Sequence, residues 1–129
     1  MTGTAVSART PEDVDRLLAE AFRRNDLEAL VALYEPGATL VAQPGQAVTG
    51  QTAIREVLQG FLALSPTLEL EVIGTLRSGD VALLCSRWTL TGTTPDGQPV
   101  RLSGRGAEVV RQQADGSWRY VIDNPHFGA

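Results

Sequence analysis

Two carboxylates stand in settings that suit acid/base chemistry. Glu108 lies between Gly106-Ala107 and Val109-Val110, inside an apolar strand, where loss of water raises an acid's pKa and fits it for proton transfer. The competing reading is a carboxylate at a pleat position that faces water or pairs with arginine. Asp123 ends the last predicted strand and is followed by Asn124-Pro125-His126-Phe127. Strand-end carboxylates beside a loop often line a mouth, although Asp-Asn-Pro is also ordinary turn chemistry. Arg87 lies mid-strand between Ser86 and Trp88. If the hairpin around Pro95 to Pro99 pairs residues whose numbers add to an odd value, Arg87 and Glu108 share a face. They then bind an anionic or enolate-like ligand, or merely satisfy one another. His126 is a proton shuttle near neutral pH or a plain exposed side chain near the C-terminus. Cys85 has no basic neighbour and reads as a small buried hydrophobe. Trp88, Trp118 and Tyr120 read as core or dimer contacts before stacking platforms.

Helices followed by strands must position these groups. Thr10-Pro11-Glu12-Asp13 is a helix start, with Thr as cap, Pro at the first helical position and acids in the first turn. Val14, Leu17, Leu18, Ala21 and Phe22 recur at helical spacing to about residue 24. Asn25-Asp26 ends that helix and caps a second, whose apolar face is Leu27, Leu30, Val31 and Tyr34 and which Pro36-Gly37 closes. Ala38 to Gln43 reads as a short strand stopped by Pro44-Gly45. Gly50-Gln51-Thr52 opens a third helix carrying Ile54, Val57, Leu58, Phe61 and Leu62. After Ser65-Pro66, strands are predicted at about 67–77, 80–92, 99–112 and 117–124, joined at Ser78-Gly79-Asp80, Pro95-Asp96-Gly97 and Asp115-Gly116. Helices first and a strand meander second predict an α+β fold with the helices on one face of an antiparallel sheet. Strands this long twist and curl, so one face becomes concave and the three helices plug it around a pocket. Within strand 80–92, Ala82, Leu84, Trp88 and Leu90 point one way, and Val81, Leu83 and Cys85 the other. A sheet apolar on both faces needs a second cover, and a second copy of the chain is the economical one.

The chain has 129 residues, which fits one domain over 11–129 behind a loose tail at 1–10. It is 43% hydrophobic and 20% charged, with no apolar run near the length a membrane span needs. No basic segment followed by an apolar run opens the sequence, so the expected location is cytoplasmic. The net charge of −4 and scattered arginines, with no lysine, argue against nucleic-acid and anionic-membrane partners. A single cysteine and a single histidine leave no internal disulfide and no His/Cys cluster for zinc or a transition metal. Neither a metal nor another cofactor is expected.

The element order, with the run Asn25 to Thr39, Gly50-Gln51-Thr52-Ala53-Ile54 and Asp115-Gly116-Ser117-Trp118-Arg119, resembles the SnoaL-like branch of the nuclear-transport-factor-2-like (NTF2-like) superfamily. That resemblance covers about residues 11 to 125. It implies a cone-shaped curved sheet packed on three N-terminal helices and enclosing one pocket. The superfamily includes ketosteroid isomerase and polyketide cyclases, and its scaffold also hosts dehydratases, carriers and noncatalytic dimerisation modules. Carried over residue by residue, the isomerase's general base falls on Ala42 or Gln43 and its helix tyrosine near Leu18, so two of its three groups are missing. The third, an acid kept protonated in an apolar pocket, falls on Glu108, and a tyrosine that supports the pocket matches Tyr34. The expectation is therefore a homodimeric pocket protein for a small apolar, polyketide-like or aromatic molecule. If it is an enzyme, it isomerises, cyclises or dehydrates by proton transfer, with Glu108 and Asp123 as acid/base groups and Arg87 as anion stabiliser. Tyr34, Gln43, Cys85, Trp118 and His126 are expected to line the pocket. The alternative is a noncatalytic ligand-carrying or dimerisation module.

Overall fold

The computed structural model describes residues 7–128. Helix α1 (Pro11–Arg23) begins with a reciprocal cap: the Thr10 hydroxyl accepts the Asp13 amide at 3.3 Å, and the Asp13 carboxylate accepts the Thr10 amide at 3.2 Å. Two amides that a helix start leaves bare are thereby satisfied. The stripe Val14, Leu17, Leu18, Ala21 and Phe22 is buried, and Asp15 is buried beside it. Asn25 turns the chain with left-handed backbone (φ 55°), which asparagine tolerates better than most residues. Asp26 then caps α2 (Leu27–Val31) through the Ala29 amide at 3.1 Å.

Beyond α2 the structure departs from the sequence expectation. Tyr34 lies outside the second helix and opens strand β1 (Tyr34–Gln43), and Pro36-Gly37, expected as a helix stop, lies within that strand. The ladder from β1 to its neighbour is interrupted between Tyr34 and Thr39, so Pro36, which has no amide to donate, breaks no ladder bond there. The chain folds back at Pro44-Gly45, with Gly45 at φ 76°, into β2 (Gln46–Thr49), an edge strand that was not foreseen. Helix α3 (Gln51–Leu62) buries Ile54, Leu58 and Leu62. The last four strands, β3 (Thr67–Ser78), β4 (Val81–Thr93), β5 (Pro99–Gln112) and β6 (Trp118–Gly128), follow the expected boundaries, with β6 running longer.

The strand order is β2-β1-β6-β5-β4-β3 in one curved, unclosed sheet. Each neighbouring pair is antiparallel except β1 with β6, which is parallel. The sheet is therefore mixed where an antiparallel one was expected. A parallel pair needs a long connection, and α3 with the β3–β5 meander supplies it. The expected loose tail at 1–10 lies outside the described residues for 1–6. Ala8, however, is buried, and its carbonyl accepts the Trp118 amide at 3.0 Å.

Two pairings decide which side chains face the helices. Strands β4 and β5 set Arg87 opposite Arg105 and Leu84 opposite Glu108, so the even-numbered residues of both strands share the inner face. Strand β6 sets Tyr120 opposite Val110 but Ile122 opposite Val109. Val121 is thus an extra residue, a β-bulge that breaks the alternation of β6. Because of it Tyr120 and Asp123 both point inward, while Ile122 stays 42% exposed. No helix among the described residues is long and apolar enough to cross a membrane.

Candidate functional site

Helices and concave sheet enclose a cavity of about 340 Å³. Most of its wall is hydrocarbon, including Leu18 and Phe22 of α1, Leu58 and Phe61 of α3, and Leu68 and Leu70 of β3. The exposed residues Gln43 and Pro44 mark its mouth, where His126 Nε2 lies 3.3 Å from the Ala42 carbonyl. In one part of the wall three acids meet: Asp15 from α1, Glu108 from β5 and Asp123 from β6, all at least nine-tenths buried. The Tyr34 hydroxyl donates to Asp123 Oδ2 at 2.6 Å, the Tyr120 hydroxyl donates to Asp15 Oδ1 at 2.5 Å, and the Ser86 hydroxyl donates to Glu108 Oε2 at 3.0 Å. The two tyrosine rings, from β1 and β6, lie 4.9 Å apart with their planes tilted by 40°. Gly106 makes room for this arrangement, because a Cβ there would collide with Glu108 Oε2 and Ser86 Oγ.

The acids are far from their ordinary proton affinities. Burial pushes the Asp123 carboxyl up to about 7, against the pull of the Tyr34 hydrogen bond, and the Asp15 charge raises it further. Glu108 is raised well above the usual carboxylate range by burial and then by Asp15. Asp15 is raised by burial too, while its contacts with Glu108 and Tyr120 hold it down. Asp15 Oδ2 and Glu108 Oε1 have no other partner in the protein. One proton resting on Glu108 and shared with Asp15 satisfies both oxygens, as expected when two carboxyls occupy one dry site. Burial also raises both tyrosines, so they remain donors.

The SnoaL-like domain family matches residues 5–121 of the chain. The chain belongs to the SnoaL-like family. Its fold is that of the NTF2-like, ketosteroid isomerase-like structures. A ketosteroid isomerase-like protein from Erwinia carotovora is 24% identical with a TM-score of 0.74, the match covering 88% of this chain and 89% of that one. A candidate dehydratase of the NTF2-like family from Streptomyces avermitilis is 17% identical with a TM-score of 0.76, covering 91% and 94%. A protein of unknown function from Mycobacterium tuberculosis is 20% identical with a TM-score of 0.76; there the match covers 88% of this chain but 66% of the other. No curated protein sequence matches the chain.

In this SnoaL-like chain Glu108, Asp123, Tyr34, Gln43 and His126 all line the cavity. Arg87 does not. The like-numbered pairing of β4 with β5 puts it on the face opposite Glu108, where it pairs with Glu71 at 2.9 Å in the open. Cys85 faces outward for the same reason. Trp118 is buried with the Arg77 guanidinium 4.9 Å from its ring centroid, and it too lies outside the cavity wall. Trp88 does line the cavity, its indole N–H donating to the Pro125 carbonyl at 2.8 Å. Sequence reasoning missed Asp15, Ser86 and Tyr120 as site residues. For Asp15 a signal existed: Asp15, Leu18 and Phe22 keep helical spacing, which sets an acid on an apolar stripe. Ser86 and Tyr120 carried no signal apart from the pairing of their strands.

Proposed function

We propose that this SnoaL-like protein binds a small, mostly apolar compound of the polyketide-like or aromatic kind and acts on it by proton transfer. The observation that carries the reading is Asp123: a carboxyl on the wall of an apolar cavity, oriented by the Tyr34 hydroxyl and half-protonated near neutral pH. An acid whose pKa lies near the working pH gives and takes protons equally readily. Asp123 is the group that exchanges a proton with the ligand, and the Asp15–Glu108 pair is a neighbouring proton store. Isomerisation, cyclisation and dehydration all need such a shuttle, and each returns the proton to the substrate or to a leaving hydroxyl. The relatives described as isomerase-like and as a candidate dehydratase are in keeping with that class.

The catalytic module is a homodimer paired through the outer sheet face. Support comes from a row of aliphatic residues lying directly opposite one another across four strands, Leu76, Leu83, Val109 and Ile122, with Leu76 71% exposed. An aliphatic row of this kind on one face of a sheet favours a partner. The test of function is native mass spectrometry of freshly purified protein followed by turnover assays on whatever is retained. Asp123→Asn should abolish turnover while the ligand still binds. Full activity in that variant would leave the ligand-carrying module as the better reading.

A further inference from the structure

We infer that the compound held in this cavity carries a protonated amine, and that its ammonium group docks against the cavity-facing oxygen of Asp123. The inference rests on the pocket reading above and deepens it.

The charges of the site are one-sided. The cavity wall holds Asp15, Glu108 and Asp123, and none of the chain's arginines lies in it. The chain contains no lysine. Asp15 Oδ2 and Glu108 Oε1 are occluded and have no other partner, so they serve one another through the proton that such a dry carboxyl pair retains. Asp123 Oδ2 is taken by Tyr34. Asp123 Oδ1 has no protein partner and is not among the occluded atoms, so it is the acidic oxygen a ligand can reach. A buried carboxylate without a cation is costly, and the cost falls when a partner of opposite charge arrives with its hydrogen bonds. Such a cation must come with the ligand. A metal ion fits poorly, because Asp15 Oδ2 and Glu108 Oε1 are occluded and Tyr34 takes Asp123 Oδ2, which leaves too few open carboxylate oxygens for a coordination shell; among the described residues no cluster is placed to hold one. The hydrocarbon wall suits an organic cation with an apolar body. An organic carboxylate or phosphate would instead add charge of the same sign. With the ammonium in place Asp123 is also kept ionised.

Docking an ammonium exchanges one cation for another, since Asp123 gives up its proton as the ligand enters. The titratable groups that face Asp123 are Asp15 from α1, Tyr34 from β1, Glu108 from β5, and Tyr120 and His126 from β6; α3, β3 and β4 contribute none to the wall. The tyrosines stay protonated and the Asp15–Glu108 pair keeps its shared proton. Affinity should therefore rise with pH through the Asp123 transition.

The experiment is titration calorimetry with three probes of one shape: 1-naphthylmethylamine, 1-naphthylmethanol and 1-naphthoate. Buffers of different ionisation enthalpy report protons released. The amine should bind about tenfold or more tighter than the alcohol at about pH 8, release protons near neutral pH, and outbind the carboxylate by more still. Asp123→Asn and, independently, Glu108→Gln keep side-chain shape, and the first should bring the amine-to-alcohol ratio close to one. Alcohol binding as tight as amine binding, or amine binding without proton release, overturns the amine inference and leaves the pocket reading standing. Failure of all three probes to bind overturns both.

Discussion

Asp123 ties the chemistry of one carboxyl to the stability of the whole chain. Its proton is held up to about 7 in the folded protein against an ordinary 3.8, so as pH rises the unfolded chain loses that proton first. The stability this group provides is complete below about pH 4 and drains away towards about pH 7, by an order of magnitude of 4 kcal/mol. Asp15 and Glu108 act in the same direction. Asp123→Asn should therefore raise the urea midpoint at about pH 8 and flatten the fall in stability between acid and neutral pH. An unchanged midpoint would mean that the carboxyl ionises normally. Gly106→Ala tests the room around Glu108: overpacking against Glu108 and Ser86 should lower stability by about 1 to 3 kcal/mol and weaken ligand binding, read by thermal unfolding and calorimetry. A neutral outcome would show that Glu108 can move aside. Glu108 was legible in the sequence because an acid interrupts an apolar run. Arg87 was misplaced because a one-residue uncertainty in hairpin pairing moves every side chain to the other face.

At the scale of elements, local chemistry was readable wherever it is self-contained. Thr10-Pro11 marked the first helix, Asp26 capped the second, and Gly79, Gly97 and Gly116 take the positive φ values their turns require. What escaped was set by distant neighbours. Tyr34 matches a helical stripe, but pairing with Tyr120 draws it into a strand. The short edge strand β2 has weak β pattern of its own and exists because β1 offers it a ladder. The bulge at Val121 is equally invisible, since nothing in Tyr120-Val121-Ile122-Asp123 announces it. Deleting Val121 tests its role. Ile122 should then follow Tyr120 directly and keep its pairing with Val109, and Asp123 its pairing with Glu108, so that β6 becomes regular with Tyr120 and Asp123 still inward. The Asp123 carboxyl should then still titrate near 7 by carbon-detected NMR. A value in the ordinary carboxylate range in a folded deletion variant would show that β6 has slipped in register and carried Asp123 to the outer face.

Across the whole molecule the sheet separates two features, an acid-bearing cavity on its concave side and an aliphatic row on its outer side. Sedimentation should find a dimer at about micromolar concentration, as expected of a proposed stable interface. The paired change Leu76→Arg with Ile122→Arg should give a folded monomer. A monomeric wild type would remove the outer-face dimer and leave the cavity unaffected. The division of the sheet into two faces was anticipated from β4 alone, whereas the parallel closure of β1 on β6, which brings Tyr34 to Asp123, depends on a contact between residues 89 positions apart. Tyr120 and Asp123, three residues apart, face the same side only because Val121 intervenes. For comparison across distant relatives this means that position in an alignment is an unsafe guide past that point. A relative with one residue fewer in this strand would carry its cavity acid two residues beyond the Tyr120 position instead of three, so that, counted without a gap, it falls on Ile122, while an acid falling on Asp123 in such a count lies on the outside. Transfer of catalytic roles among such proteins has to follow which way each side chain faces, strand by strand.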